Sequence, residues 1–209
     1  DIKINRMKKI NNSHFVSVAN DSTGKVWNMN LVNTACDLTG HIHQVISALE
    51  ILSDNRIATG SWDSRIRIYS SSCILQADFI AHVGYVYDIL QLQDGNLASC
   101  SWDGIKIWNK NSFALVRILH HGNARAIIEI EQLLNGLIVS VSSDGSLRFW
   151  DTSVVSSLRE MNFYTWTDGI YFSPHMTAMK VSRNKKLLAL ALSNFTICIV
   201  DLVEEHVIR

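Results

Sequence analysis

This 209-residue sequence lacks several features that common classes of protein require. Only 18% of its residues are charged and its formal net charge is zero. The basic cluster of Arg6, Lys8 and Lys9 is too short to follow a phosphate backbone, so we expect no nucleic-acid partner. The most apolar stretch, residues 187–200, is interrupted by Ser193-Asn194 and is shorter than the roughly 20 residues of a membrane span, so we expect no membrane partner.

Cysteine is sparse and widely spaced. The four cysteines include no Cys-x-x-Cys pair, which argues against a zinc site and against a dense disulfide framework. We therefore expect no metal and four reduced thiols, at Cys36, Cys73, Cys100 and Cys198. Because the start of the sequence also shows no signal-peptide pattern, we expect a cytoplasmic protein, with the nucleus as the alternative compartment.

Helical patterning is missing as well. Apolar residues alternate with a period of two almost everywhere, and no capped window of a dozen residues has helical spacing. This pattern excludes a solenoid of helices and predicts an all-β protein.

What the sequence does contain is one stretch that recurs. Residues 97–109 read Leu-Ala-Ser-Cys-Ser-Trp-Asp-Gly-Ile-Lys-Ile-Trp-Asn, which is typical of a β-hairpin: two alternating runs joined by an Asp-Gly turn. Related stretches occupy 15–28, 57–70 and 138–151, and a degenerate copy occupies 188–201. Their closing residues are Trp27, Tyr69, Trp108, Trp150 and Val200. The resulting spacings of 42, 39, 42 and 50 residues predict the four-stranded blade of a propeller.

Each hairpin has a further predicted strand on either side. Alternating segments precede it, as at 86–92 and 176–181, and a run such as 74–79 or 115–119 follows the closing residue. A single four-stranded sheet has two apolar faces and cannot bury either alone, so the sheets must stack face to face around an axis. The sequence thus predicts one domain of five blades, with boundaries near 1–30, 31–72, 73–112, 113–158 and 159–209.

With these repeats the sequence resembles the WD-repeat β-propeller family over essentially all of its length. The Gly-His and Trp-Asp signatures of the family appear as Gly40-His41 and Trp150-Asp151. The resemblance implies a non-catalytic scaffold that binds other proteins in a regulatory or assembly complex and needs no cofactor. Since seven blades is the familiar count in this family, we expect about two more blades, upstream or on a partner, which would make this chain a fragment of a longer propeller.

The resemblance also implies a hydrogen-bonded tetrad within a blade. A Trp N–H can donate to a Ser or Thr hydroxyl, the hydroxyl can bond a His, and an Asp accepts at the end of the series. The complete sets are His82, Ser99, Asp103 and Trp108, and His121 (or His120), Ser140, Asp144 and Trp150. Partial sets are His41, Thr59 and Asp63 with Tyr69 in place of Trp, and Ser17, Asp21 and Trp27. The fifth blade carries Phe172, Leu190, Asn194 and Val200 at these places.

Two tryptophans occur where blade packing does not require them. Trp62 and Trp102 each precede the turn Asp, where other copies carry a smaller polar residue. They either shield their own hairpins or anchor a partner protein, because Trp is enriched in interface hot spots. By the family geometry, four large residues surround the channel mouth on the same face: Gln44, Tyr85, Arg125 and His175.

The connection between Asp151 and Met176 is longer than its counterparts. It carries the aromatic residues Phe163, Tyr164, Trp166, Tyr171 and Phe172, an Asp168-Gly169 turn and the only proline, Pro174. We expect a hairpin extension here, which serves either as a plug over the degenerate fifth blade or as an aromatic contact loop.

Two other functions fit parts of the pattern. Exposed Trp62, Trp102 and Trp166 could stack on sugar rings in a carbohydrate- or small-ligand-binding propeller, but no cluster of Asn, Asp or Arg recurs beside each of them. A hydrolase would explain a Ser-His-Asp trio, but this trio recurs from blade to blade and no copy has a Gly-x-Ser-x-Gly elbow. We therefore expect no enzymatic activity.

Overall fold

The computed structural model describes residues 2–30, 33–120, 125–154, 157–162, 165–167, 170–172, 176–193, 195–202 and 206–208. For residues 162, 165–167, 170–172, 176 and 206 it describes the backbone. The described strands form five four-stranded antiparallel sheets and one two-stranded sheet. The predicted all-β propeller with five blades is thus confirmed. We number the four-stranded sheets blade one to blade five in chain order.

The strands follow one another along the chain. Blade one contains β1 (Ile4–Lys9), β2 (His14–Ala19), β3 (Gly24–Asn28) and β4 (Asn33–Leu38). Blade two contains β5 (Ile46–Ile51), β6 (Ile57–Ser61), β7 (Arg65–Tyr69) and β8 (Leu75–Ile80). Blade three contains β9 (Asp88–Gln91), β10 (Leu97–Ser101), β11 (Gly104–Trp108) and β12 (Leu115–Leu119). Blade four contains β13 (Ile127–Gln132), β14 (Ile138–Ser142), β15 (Ser146–Trp150) and β16 (Arg159–Asn162). The small sheet is β17 (Thr165–Thr167) and β18 (Ile170–Phe172), and blade five contains β19 (Met176–Val181), β20 (Leu187–Leu192), β21 (Ile197–Asp201) and β22 (His206–Val207).

The blades do not follow the predicted boundaries. The expected divisions at 30, 72, 112 and 158 fall between the third and fourth strands, or just before the fourth strand, of a sheet. In each blade the strand after the closing residue pairs with the third strand of the same sheet, as β7 pairs with β8 through Arg67 opposite Asp78. Each blade therefore extends further along the chain than the sequence repeat indicated.

The tight turn after β10 shows why the repeated sequence forms a hairpin between the second and third strands. Ser101 pairs with Gly104, so Trp102 and Asp103 form a two-residue turn. Gly104 has a φ of 117°, and a Cβ at this position would lie 2.6 Å from the Leu119 carbonyl oxygen, which leaves room for glycine alone. The equivalent turn residues Ser22, Ser64 and Gly145 also have positive φ angles, of 70°, 71° and 83°.

The hydrophobic core lies between successive blades. Separate clusters of buried side chains join blades one and two, two and three, three and four, and four and five. Blade five packs on blade four through Leu188, Leu190 and Val200, all fully buried. Burying a side chain of this size contributes about 1.5–3 kcal/mol, so apolar packing holds the blade whose sequence has diverged most.

A disulfide joins blades one and two, which corrects the expectation of four reduced thiols. Cys36 on β4 and Cys73 in the turn after β7 are bonded across a Cα–Cα distance of 6.1 Å. They are 37 residues apart in the chain, and their spacing gives no sign that an outer strand lies beside the next blade's turn. Cys100 is free and buried, and Cys198 is free and half-buried. The cytoplasmic expectation rested in part on all four thiols being reduced, and it loses that support.

The long connection before blade five contains a hairpin, as expected. Trp166 on β17 pairs with Tyr171 on β18. The turn at 168–169, Phe163, Tyr164 and Pro174 lie outside the described residues.

Candidate interaction face

One face of the propeller carries the turns between second and third strands. In three blades the first residue of this turn donates its backbone N–H to the carbonyl of the residue before the first strand: Asn20 to Lys3 at 3.0 Å, Trp62 to Val45 at 3.0 Å and Ser143 to Ala126 at 2.9 Å. These turns therefore lie beside the starts of the inner strands, at the mouth of the central channel. We refer to this side as the turn face.

An aromatic cluster on the turn face connects blades two and three. The indole of Trp62 stacks on the ring of Tyr85, with centroids 4.6 Å apart and planes inclined by 9°. Tyr85 in turn meets Tyr87 edge-on at 6.2 Å. Trp62 nevertheless keeps 37% of its surface exposed and Tyr85 keeps 43%. The pair therefore presents a rigid apolar surface to solvent.

Trp102 extends this surface over the segment that leads into β9. Its indole lies against Gly84, where any side chain would collide with it. Trp102 is 45% exposed and Val83, next to Gly84 in the chain, is 76% exposed. We call Trp62, Val83, Tyr85 and Trp102 the aromatic patch.

A cavity of about 420 Å³ opens at the channel mouth beside the aromatic patch. Trp62 and Tyr87 line one side of it, and Lys3, Arg6 and Thr177 also line it. No carboxylate is among its described lining residues. We call this the mouth cavity.

A second cavity of about 240 Å³ lies deeper in the channel, and Arg6 borders both cavities. Its charged lining residues are Arg6, Lys8, Glu50, Asp88, Glu129, Glu131 and Lys180. Lys8 and Glu50 form an ion pair at 2.7 Å. Asp88 is buried and accepts the backbone N–H of Ile130 from the next blade at 3.1 Å. Burial raises the pKa of Asp88 to about 7, because ionising a carboxyl away from water is unfavourable.

The tetrad residues of blade three are hydrogen-bonded to one another. Trp108 Nε1 donates to Ser99 Oγ at 2.8 Å, Ser99 Oγ lies 2.7 Å from His82 Nε2, and His82 Nδ1 lies 2.5 Å from an Asp103 oxygen. Burial lowers the pKa of His82, which keeps its ring neutral. Burial opposes ionisation of Asp103, but hydrogen bonds from His82, Lys106 and the Val83 backbone outweigh it and hold the pKa of Asp103 well below its usual range.

Blade two has the same His and Asp but ends differently. His41 lies 2.9 Å from Thr59 Oγ1 and 2.8 Å from an Asp63 oxygen. The Tyr69 hydroxyl donates to the Thr39 carbonyl at 2.7 Å, and burial raises the pKa of Tyr69 to about 12. The tyrosine thus ties the blade to the segment before His41.

The other sets are described in part. Trp27 donates to Ser17 and Trp150 donates to Ser140, each at 2.8 Å. Asp21 accepts the hydroxyl of Thr23 at 2.6 Å. His121, His175 and Asn194 lie outside the described residues, as do the side chains of Trp166 and Phe172. Gln44 and Arg125 are exposed.

A recurrent cation was missed by the sequence analysis. The third strand carries Lys or Arg two residues before the closing aromatic, at Lys25, Arg67, Lys106 and Arg148. Three of these bind an acid on the fourth strand: Lys25 to Asp37 at 2.9 Å, Arg67 to Asp78 at 3.3 Å and Arg148 to Glu160 at 2.9 Å. Lys106 binds the tetrad acid Asp103 at 2.9 Å. The recurrence of this cation was visible in the repeat alignment, but its acidic partners were not, because they lie 11 to 12 positions further on.

The described residues include neither a metal-binding group nor a membrane-spanning helix. Within the described parts of the chain, no three His, Cys, Asp or Glu side chains are grouped so that they could hold a metal ion. In the same parts, no helix is long and apolar enough to cross a membrane.

Residues 31–70, from the outer strand of blade one to the end of β7, match the WD40 family, described as WD domain, G-beta repeat. The chain thus contains a WD40 repeat. The chain is 26% identical over 162 residues to the ribosome biogenesis protein WDR12 homolog of Drosophila mojavensis, and the match covers 67% of this chain and 38% of that protein. It is 23% identical over 201 residues to protein tipD of Dictyostelium discoideum, which covers 91% of this chain and 31% of that protein.

A shorter match is closer in sequence. Over 56 residues, 26% of its length, the chain is 45% identical to the guanine nucleotide-binding protein subunit beta of Schizosaccharomyces pombe and covers 18% of it. The chain spans about a third of the length of the two longer relatives. Among solved structures, the computationally designed Ika8 protein matches with a TM-score of 0.75 and 23% identity, covering 96% of this chain and 58% of that one. This last similarity shows the fold alone.

Proposed function

We propose that this WD-repeat propeller is a non-catalytic scaffold that binds a partner protein through the aromatic patch and the adjoining mouth cavity. The observation that carries the proposal is the Trp62–Tyr85 stack, which is held flat at 4.6 Å yet remains more than one-third exposed. Rigid, partly exposed Trp and Tyr side chains are the residue types most enriched in interface hot spots, since they lose little entropy on binding.

The packing of the two tryptophans favours a protein partner over a carbohydrate. A sugar ring stacks on a free aromatic face, but one face of the Trp62 indole is already covered by Tyr85. Trp102 likewise rests against the Gly84 backbone. What remains is a continuous surface that crosses two blades, and its shape suits a peptide or loop better than a single sugar.

The relatives support a role in assembly. One group of relatives is named for ribosome biogenesis, and we propose that the whole protein acts in the assembly of a larger complex in the cytoplasm or nucleus.

The test is a matched pair of double variants. Trp62→Ala/Trp102→Ala removes the patch, and Ile74→Ala/Leu134→Ala removes two exposed apolar side chains from the opposite face. Partners captured by the immobilised wild-type chain are identified by mass spectrometry and their affinities measured on purified components. We expect the patch variant to lose about 2 kcal/mol of binding free energy or more, and the control to lose almost none. Equal affinities at matched thermal midpoints would reject the patch.

We also propose that further blades complete the ring. Among the described residues, core clusters join the five blades in succession, and none joins blade five to blade one. The outer face of blade one and that of blade five therefore need to be covered. About two further blades in all would do this and would bring the ring to the seven blades that are familiar in the family. Small-angle scattering of the 209-residue chain checks this, because an open arc and a closed disc differ in their distance distributions. A stable closed disc would contradict the proposal.

A further inference from the structure

We infer that the mouth cavity accepts an acidic side chain from an extended partner segment whose apolar neighbours pack on the aromatic patch. This inference rests on the proposed function and adds the chemistry of the partner. It starts from the charges that line the mouth cavity, and it concerns a peptide rather than a free ion.

Two cations that line the mouth cavity form no direct ion pair among the described residues. Lys3 and Arg6 line it, and no described carboxylate lies within ion-pair distance of either. Neutral polar groups beside them are already used: Asn5 Nδ2 donates to the Ile46 carbonyl at 3.0 Å, and Ser47 donates to the Val86 carbonyl at 2.5 Å. The charged donors that this cavity offers a ligand are the ammonium of Lys3 and the guanidinium of Arg6.

The acids deeper in the channel do not take these donors. Asp88 accepts the N–H of Ile130, and Glu129 accepts the N–H of Met179 at 2.7 Å. Each carboxylate thus hydrogen-bonds the inner strand of the next blade, and its attraction to Arg6 acts over a distance longer than an ion pair. Burial also raises the pKa of Asp88 and of Glu129, which weakens their hold on Arg6 further.

A carboxylate fits this arrangement for a geometric reason. A guanidinium binds a carboxylate through two parallel N–H groups, and such charge-assisted pairs are about twice as strong as neutral hydrogen bonds. The cavity, at about 420 Å³, has room for one acidic side chain and part of its backbone. Because Trp62 lines the cavity and also belongs to the aromatic patch, the residues next to that acid come to lie on apolar surface.

A polynucleotide suits the site less well. Its affinity comes from many phosphate contacts along a basic track, whereas the mouth cavity offers two cations next to a neutral, apolar surface. The favoured occupant is a linear peptide with one or two acidic residues beside Leu, Phe or Trp.

The experiment is a selection from a random 12-residue peptide display library against the purified chain. Enriched peptides are then made with a fluorescent label and titrated by anisotropy. Three proteins are compared: wild type, Lys3→Gln/Arg6→Gln, and the control Lys9→Gln/Lys110→Gln, which removes the same charge from the opposite face. We expect Asp or Glu next to an apolar residue in the selected peptides, an affinity loss of about tenfold or more for the first variant, and less than about twofold for the control.

Arg6 is half-buried, so its replacement could affect folding. The single variant Lys3→Glu, at an exposed position, guards against this and should weaken the same peptides while leaving the thermal midpoint unchanged. Replacing the peptide's acid by its amide should match the loss seen in the protein variants.

The other outcomes separate the two proposals. Selected peptides that are neutral or basic but depend on Trp62 and Trp102 would overturn the acidic preference and leave the proposed function standing. Acidic peptides that ignore Lys3 and Arg6 would also overturn the inference. A chain that selects no peptide, or binds a single-stranded oligonucleotide more tightly than any peptide through Lys3 and Arg6, would count against both.

Discussion

Blade three and blade five share strand order and pairing but are held together by different interactions. In blade three, Ser99 on the second strand bonds His82 and Trp108. In blade five the equivalent second-strand residue is Leu190, fully buried against blade four. One position in the repeat can therefore hold either a polar network or an apolar contact. The sheet architecture thus depends on filling this position, and not on one chemistry for doing so.

The largest expected effect comes from removing the apolar contact between blade five and blade four. Leu190→Ala leaves a cavity between blades four and five, because Leu190 is fully buried. We expect a loss of about 3 kcal/mol in the free energy of unfolding, measured as a shift of the denaturant midpoint. As the control, Leu187→Ala removes a side chain of equal size from the same strand, where it is 38% exposed. If both variants lose the same amount, Leu190 is not the apolar anchor of blade five.

A smaller loss of stability is expected when the hydrogen-bond network of blade three is interrupted. Asp103→Ala removes the acceptor of His82, of Lys106 and of the Val83 backbone N–H. Leaving these donors without a partner should cost about 2 kcal/mol of unfolding free energy. Asp37→Ala serves as the control, since its ion pair with Lys25 is on the surface and contributes about 0–1 kcal/mol. A loss for Asp103→Ala no greater than that of the control would mean that the network adds nothing to stability.

The smallest expected effect is on the pH dependence of stability, to which blade three contributes a buried carboxyl and blade five does not. Blade three places Asp88 on its inner strand, opposite Cys100, where blade five has Ala178 opposite Ala191. The charged groups that act on Asp88 are Arg6 and Lys8 on β1 and Glu129 on β13. Because burial raises the pKa of Asp88 to about 7, the folded state retains a proton that the unfolded state loses above pH 4. This carboxyl therefore lowers stability as pH rises from about 4 to about 7.

Asp88→Asn removes that dependence while keeping an oxygen for the Ile130 N–H. We expect the variant to gain about 1–2 kcal/mol relative to wild type between pH 5.5 and pH 7. The pKa values of the buried His41 and His82 are lowered by burial, and their contribution has the opposite sign, but it is common to both proteins and cancels in the difference. Chemical denaturation at the two pH values provides the measurement, and a difference that does not change with pH would show that Asp88 ionises normally.

The repeat itself made the fold predictable from sequence. Five copies of one hairpin, with flanking alternating segments, were enough to predict five four-stranded sheets. The blade boundaries were wrong, because a repeat unit marks where similarity recurs and not which strands pair. The Cys36–Cys73 bond could not be found in the same way, since it depends on how two blades lie against each other.

The candidate site was predictable in composition but not in arrangement. Trp62, Trp102 and Tyr85 stood out by residue type at repeat positions. That Trp62 stacks on Tyr85 of the next blade, and that Trp102 covers Gly84, depends on the angle between blades, which no single repeat encodes. Arg6 belongs to the basic cluster that is too short for nucleic acid, whereas Lys3 lies outside that cluster. Only the folded channel mouth brings the two cations to one cavity.

The disulfide between Cys36 and Cys73 also changes what proteolysis would do to this chain. The turn between β5 and β6 includes Ser53, Asp54 and Asn55, all exposed, and it lies between the two cysteines in sequence. A protease that cuts this turn divides the backbone, but the sulfur bridge spans the cut and keeps the two fragments covalently joined. The nicked chain would migrate as one species in a denaturing gel until a thiol reductant is added, and only then separate into two.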